Sequence, residues 1–167
     1  MLWPMRSNQI FSRMSKEQAA AFLDDLKQEA RPVANLALNA ACQAFKLRPE
    51  FLRRQPKAKQ AEWMRKALGR TVAAALAEEL LATYFLEHQK ALLVELLDAL
   101  GVPHEEGQLE SPEPECPPED KLREVVAVFR KGEHPRRREI LLQAFAAQSG
   151  VDWPPLETLL DEEPAPA

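Results

Sequence analysis

From Ala73 to Leu100 the chain repeats apolar side chains at helical spacing for about eight turns. The stripe is Ala73, Leu76, Ala77, Leu80, Leu81, Tyr84, Phe85, His88, Leu92, Leu96 and Leu100. Spacing of i, i+3 and i+4 places all of these on one side of a helix, and that side must be covered. The composition supports the same secondary structure. Alanine (25) and leucine (24) are abundant among the 167 residues, whereas 8 Val, 2 Ile and 3 Thr are too few for the strands of a sizeable sheet. The expected fold is all-α: a helical bundle of about four to five helices plus a C-terminal helical hairpin.

Local signals place the helices. Ser15 and Gln18 form a capping box ahead of Ala19, Phe22, Leu23, Leu26 and Ala30. Pro32 sits in the first turn of a second helix running to Phe45. That helix is apolar on two faces, with Val33, Leu36, Ala37, Ala40, Ala41 and Ala44 on one and Leu38 and Cys42 on another, so a central position is expected. Pro49 opens a short turn of helix before Pro56, and Lys57 to Leu68 carries the stripe Trp63, Met64, Ala67, Leu68. Gly101 and Val102 stop the long helix, the valine folding back onto Leu97. Helical period resumes from Pro118 to Arg130, from Pro135 to Ser149, and around Leu156, Leu159 and Leu160.

The expected organisation is a flexible arm over 1–14, a helical core over 15–100 and a Pro-rich acidic linker over 101–119. A helical hairpin over 120–160, packed on the core or lying beside it, and a tail over 161–167 complete it. Residues 1–13 carry no clear period, and Met14-Ser15-Lys16 reads as a natural beginning. The arm is expected to be loose, or to pack through Trp3, Ile10 and Phe11. Within residues 101–119, five prolines (103, 112, 114, 117, 118) and six acidic residues (105, 106, 110, 113, 115, 119) preclude a core. Leu92-Leu93 through Gly101-Val102 and Leu141-Leu142 through Gly150-Val151 share a spacing. A duplicated hairpin accounts for it, and so does the frequency of Leu-rich helices ending in glycine.

Several classes are excluded. The five glycines are never closer than six positions, so no Gly-rich loop is available to cradle phosphate. No run approaches the roughly 18 apolar residues of a membrane span, and no membrane partner is expected. Residues 1–11 show no basic start followed by an apolar stretch. Cys42 and Cys116 make neither a disulfide framework nor a zinc spacing, and as free thiols they suit a reducing, cytoplasmic setting.

Chemistry-bearing residues are sparse. His88, on the long stripe between Tyr84 and Leu92, is the titratable candidate for a general base or a pH sensor, although a core histidine with one hydrogen bond is the preferred reading. His104, Glu105, Glu106 and Cys116 share the linker, but no C-x-x-C, H-x-x-x-H or E-x-x-H pair occurs anywhere. No metal, no cofactor and no catalytic residue is expected, which leans the chain away from enzymes.

Charge is arranged in blocks. Residues 46–70 carry +7, 71–120 carry −11, 121–138 carry +5, 139–167 carry −6 and 1–45 carry +1, for a net charge of −4. Two partner classes follow from this. Nucleic acid would engage the basic residues Arg53, Arg54, Lys57, Lys59, Arg136, Arg137 and Arg138, with Trp63 available for stacking. A protein partner, or self-association, would use the complementary blocks together with an apolar surface around Trp63, Trp153 and Leu156. The overall pI of about 5.5 favours the second, a non-enzymatic helical interaction, scaffold or regulatory protein.

Overall fold

A computed structural model describes residues 5–162, and among these the Leu and Ala patterning resolves into ten α-helices. They are α1 (Ser7–Ser12), α2 (Lys16–Glu29), α3 (Arg31–Phe45), α4 (Pro49–Arg54), α5 (Lys57–Leu68), α6 (Ala74–Thr83), α7 (Lys90–Leu100), α8 (Glu119–Arg130), α9 (Pro135–Ala147) and α10 (Pro154–Glu162). The class is all-α. The chain divides into two compact units: Arg6–Tyr84 holds α1–α6, and a second, beginning at Phe85 and taking in Met5, holds α7–α10.

In the first unit the capping box forms as the sequence predicts. The Ser15 Oγ accepts from the Gln18 amide at 3.1 Å, and the Gln18 Oε1 accepts from the Ser15 amide at 2.9 Å. Helix α3 packs against α2, α4, α5 and α6, and its buried Ala34, Ala37 and Ala41 let neighbouring backbones come close. Leu36 departs from the expected pattern and is 49% exposed. Phe11, Phe22 and Tyr84 form a chain of aromatic contacts with centroids 5.9 Å apart at each step. The Tyr84 hydroxyl donates to the Asp25 carboxylate.

The N-terminal segment is not a loose arm where it is described. Ser7–Ser12 form α1, which packs on α5 and α6 with Ile10 and Phe11 buried and the Asn8 Nδ2 donating to the Gly69 carbonyl at 3.2 Å. A helix of six residues is too short to show a period, which is why the pattern is invisible in sequence. The expectation for Trp3 lies outside the described residues, as does that for the tail beyond Glu162.

The long helix is interrupted. A 3-10 turn (Thr71–Ala73) precedes α6, and a π-turn (Tyr84–His88) separates α6 from α7. Tyr84 and Phe85 are consecutive and both buried, yet they belong to different units. The stripe thus serves two cores, and a π-turn lies where the chain passes from one unit to the other. The helical core expected over 15–100 therefore ends at Tyr84, and α7 belongs to the second unit.

In that unit α8 packs against α7, α9 and α10, and α9 packs against α10. Gly101 closes α7 in the left-handed conformation (φ 72°), and the Val102 amide donates to the Leu97 carbonyl at 3.0 Å. The expected linker is a fastened strap. His104–Glu105 (β1) pairs antiparallel with Gln108–Leu109 (β2) through a turn at Glu106 and Gly107, both at positive φ. Pro114 is buried, and its carbonyl accepts the Trp153 indole N–H at 2.9 Å. Gly150 (φ 91°) passes so close to the Pro112 carbonyl that a side chain there would collide. Helix α9 ends at an extended Gln148 rather than a left-handed glycine, so its end and that of α7 are not copies of one cap.

Candidate docking surface

Helix α4 has one and a half turns and buries one side chain. Leu52 is 2% exposed against Ala41, Cys42 and Ala67, while Phe51, about 100° away on the helix, is 48% exposed. Phe45 and Trp63 pack partly buried beside this cluster, their ring centroids 5.0 Å apart. The Lys66 ammonium lies 5.8 Å from the Trp63 ring and the Arg70 guanidinium 5.9 Å from the Phe45 ring. Buried Gln60 on α5 ties the surface together. Its Nε2 donates to the Arg53 and Gln55 carbonyls at 3.2 and 3.0 Å, and its Oε1 accepts from the Lys27 ammonium at 2.7 Å. Burial lowers the Lys27 pKa below its ordinary value, and the neighbouring Lys57 adds to this.

The face is cationic. Arg48, Arg53, Arg54 and Lys59 are exposed and form no ion pair among the described residues. Lys57 reaches Asp24 at 3.3 Å, an exposed pair that contributes little. Arg65 holds Glu62 through two hydrogen bonds of 3.1 and 2.6 Å, and this keeps the Glu62 carboxyl below its usual range. Residues 6–84 together carry +6.

Of the residues expected to bind a partner, the structure gathers Arg53, Arg54, Lys57 and Lys59 on α4 and α5. The other basic group does not form a patch. Arg136 is exposed, but Arg137 donates to the Gln89 Oε1 at 3.0 Å. Arg138 is buried, its guanidinium donating to the Glu133 carbonyl at 2.6 Å, the Phe129 carbonyl at 3.2 Å and the Glu95 carboxylate. Beside it, Arg130 makes a two-pronged pair with buried Glu139 at 2.9 and 2.8 Å. The expected apolar surface is also corrected. Trp153 and Leu156 are each 1% exposed, and Trp153 packs on Phe145 at 5.1 Å. Three leucines on α10 and a large indole have nowhere to be buried except the core of a small unit. Only Trp63 stays partly open.

His88 is not a core residue. It ends the π-turn half-buried. The nearby open depression of about 610 Å³ is lined by Leu86, Glu87, Lys90, Glu105, Glu106 and Gln108, without His88. His104 acts as a clamp: its Nε2 lies 2.7 Å from the Asp98 Oδ1, and its Nδ1 accepts from the Gly107 amide at 3.1 Å. Cys116 is half-buried, and burial pushes its thiol pKa up, away from reactivity. Among the described residues no group of three or more His, Cys, Asp or Glu side chains is placed to hold a metal ion.

Phe51, Phe45 and Arg48 were not singled out by the sequence reading. No local signal tells Phe51 from Leu52, since α1, equally short, buries both of its adjacent apolar residues, Ile10 and Phe11. Comparison of the chain with protein-family models, curated proteins and solved structures found no match.

Proposed function

We propose that this chain is a non-enzymatic interaction protein, of scaffold or regulatory type, that docks an acidic protein segment on the α4–α5 face. The observation that carries the reading is Phe51, 48% exposed on the short helix that also carries Arg53 and Arg54, with Arg48 at its N-cap and Lys59 in the first turn of α5. All four cations are exposed and form no ion pair among the described residues. An aromatic anchor within a charged rim is the composition of a protein-binding hot spot. Nucleic acid is less favoured. Phe45 and Lys66 already lie against Trp63, and the Arg136–Arg138 run offers one open guanidinium rather than three. The free thiols Cys42 and Cys116 suit a cytoplasmic site of action.

The test is a fluorescence-anisotropy titration with a labelled peptide of alternating Glu and Leu, run beside a single-stranded RNA oligonucleotide. The peptide is expected to bind, and binding should weaken between about 50 and 300 mM salt as screening sets in. Phe51→Ala should reduce affinity about tenfold, and the pair R53E/R54E should abolish it. Equal peptide binding by wild type and R53E/R54E, or RNA binding tighter than peptide binding, overturns the proposal.

A further inference from the structure

We infer that the acidic partner is a second copy of this chain, which seats its Pro-rich strap on the cationic α4–α5 face. This rests on the docking reading above and names the occupant.

Between Lys90 and Lys121 the sequence contains no Lys or Arg. Glu105, Glu106, Glu110, Glu113, Glu115, Glu119 and Asp120 are all exposed. Glu106 approaches Lys90 at 3.9 Å and Glu119 reaches Arg123 at 3.2 Å, whereas the other five form no ion pair among the described residues. The chain from Phe85 onward, with residues 1–5, carries −10 against +6 on residues 6–84. Each copy thus presents an uncompensated anionic strap and an uncompensated cationic face. Complementary fields of this kind steer association and fix its register.

The strap is also prepared for binding. The Pro114 carbonyl is fastened by the Trp153 indole, the Pro112 carbonyl lies against Gly150, and His104 ties the turn at Gly107 to Asp98. A segment already ordered loses little conformational freedom on docking. Exposed Pro112, between Glu110 and Glu113, supplies an apolar ring for Phe51.

Sedimentation velocity over a concentration series tests this, with R53E/R54E/K59E as the face variant and E110K/E113K/E115K as the strap variant. Wild type should associate at about 50 mM salt and dissociate at about 500 mM. Each variant alone should be monomeric, with at least a tenfold lower association constant, because like charges then meet. An equimolar mixture of the two should associate again, since the strap of each now complements the face of the other. Circular dichroism verifies that both fold, and the lighter pair R54E and E113K serves if a triple variant does not. A monomeric wild type at low salt, or a mixture that stays monomeric, overturns the inference. If the wild type is monomeric yet still binds the Glu–Leu peptide, the docking face stands and only its occupant is wrong.

Discussion

Three consecutive arginines on one helix should differ sharply in what their removal costs, and Arg138 is the decisive one. Its side chain is 10% exposed and satisfies two main-chain carbonyls, at Glu133 and Phe129, besides the Glu95 carboxylate. Its guanidinium sits 4.6 Å from the Phe129 ring. Gly132 gives it room, because a methyl group there would overlap the guanidinium. Arg138→Ala takes a donor from the Glu133 carbonyl, at about 1 kcal/mol, leaves the Phe129 carbonyl with the Gly132 amide at 3.3 Å, and removes a cation–π contact of about 0.5–1 kcal/mol. Glu95 is 51% exposed and stays hydrated, so the loss falls near the lower end of the roughly 3–5 kcal/mol seen when a buried pair is broken. The total is about 3 kcal/mol, or roughly 12–24 °C in Tm for a unit of this size. Arg136→Ala should stay within about 0.5 kcal/mol, and Arg137→Ala should lose about 1 kcal/mol with its bond to Gln89. Urea titrations and thermal melts by circular dichroism measure all three. Arg138→Lys should recover less than half of the loss, because an ammonium lacks the fork that reaches the separate acceptors. Equal stabilities across the three alanine variants would refute the buried assignment.

Two further perturbations probe the strap and the α5 face. Trp153→Phe keeps the contact with Phe145 but removes the N–H that fastens the Pro114 carbonyl, so it should lose about 1–3 kcal/mol and speed cleavage between Glu115 and Cys116 by a Glu-specific protease; unchanged cleavage would show that the strap is held elsewhere. Glu62 has a folded-state pKa below its ordinary 4.5 because Arg65 donates to it. Its contribution is therefore present above that value and lost as pH falls through the folded-state pKa. Glu62→Gln should lower stability by about 0.5 kcal/mol at pH 7, with the gap to wild type closing in acid; a gap that is constant with pH contradicts the pairing.

Much of the architecture is legible in the sequence because helix signals are local. The Ser15–Gln18 box, Pro49, Gly101–Val102 and the leucines of α10 mark element ends within a few residues of themselves, and all four lie where the spacing predicts. The charge blocks are equally readable, and the α4–α5 half of the candidate surface follows from the first basic block. What fails are statements about which unit a residue serves. The stripe from Ala73 to Leu100 is continuous as a pattern, yet it breaks at Tyr84, and its two ends fill different cores. Trp153 and Arg138 read as surface chemistry until the Pro114, Phe129 and Glu133 carbonyls are found beside them.

By itself the sequence determined the all-α class, most helix boundaries and the segregation of charge. Periodicity, capping and net charge are properties of neighbouring residues along the chain. Tertiary structure alone decided that residues 101–119 are a fastened strap, that Arg138 and Trp153 are interior, and that Phe51 stands exposed while Leu52 beside it is buried. Each of these depends on partners distant in sequence, and burial is settled only when those partners meet.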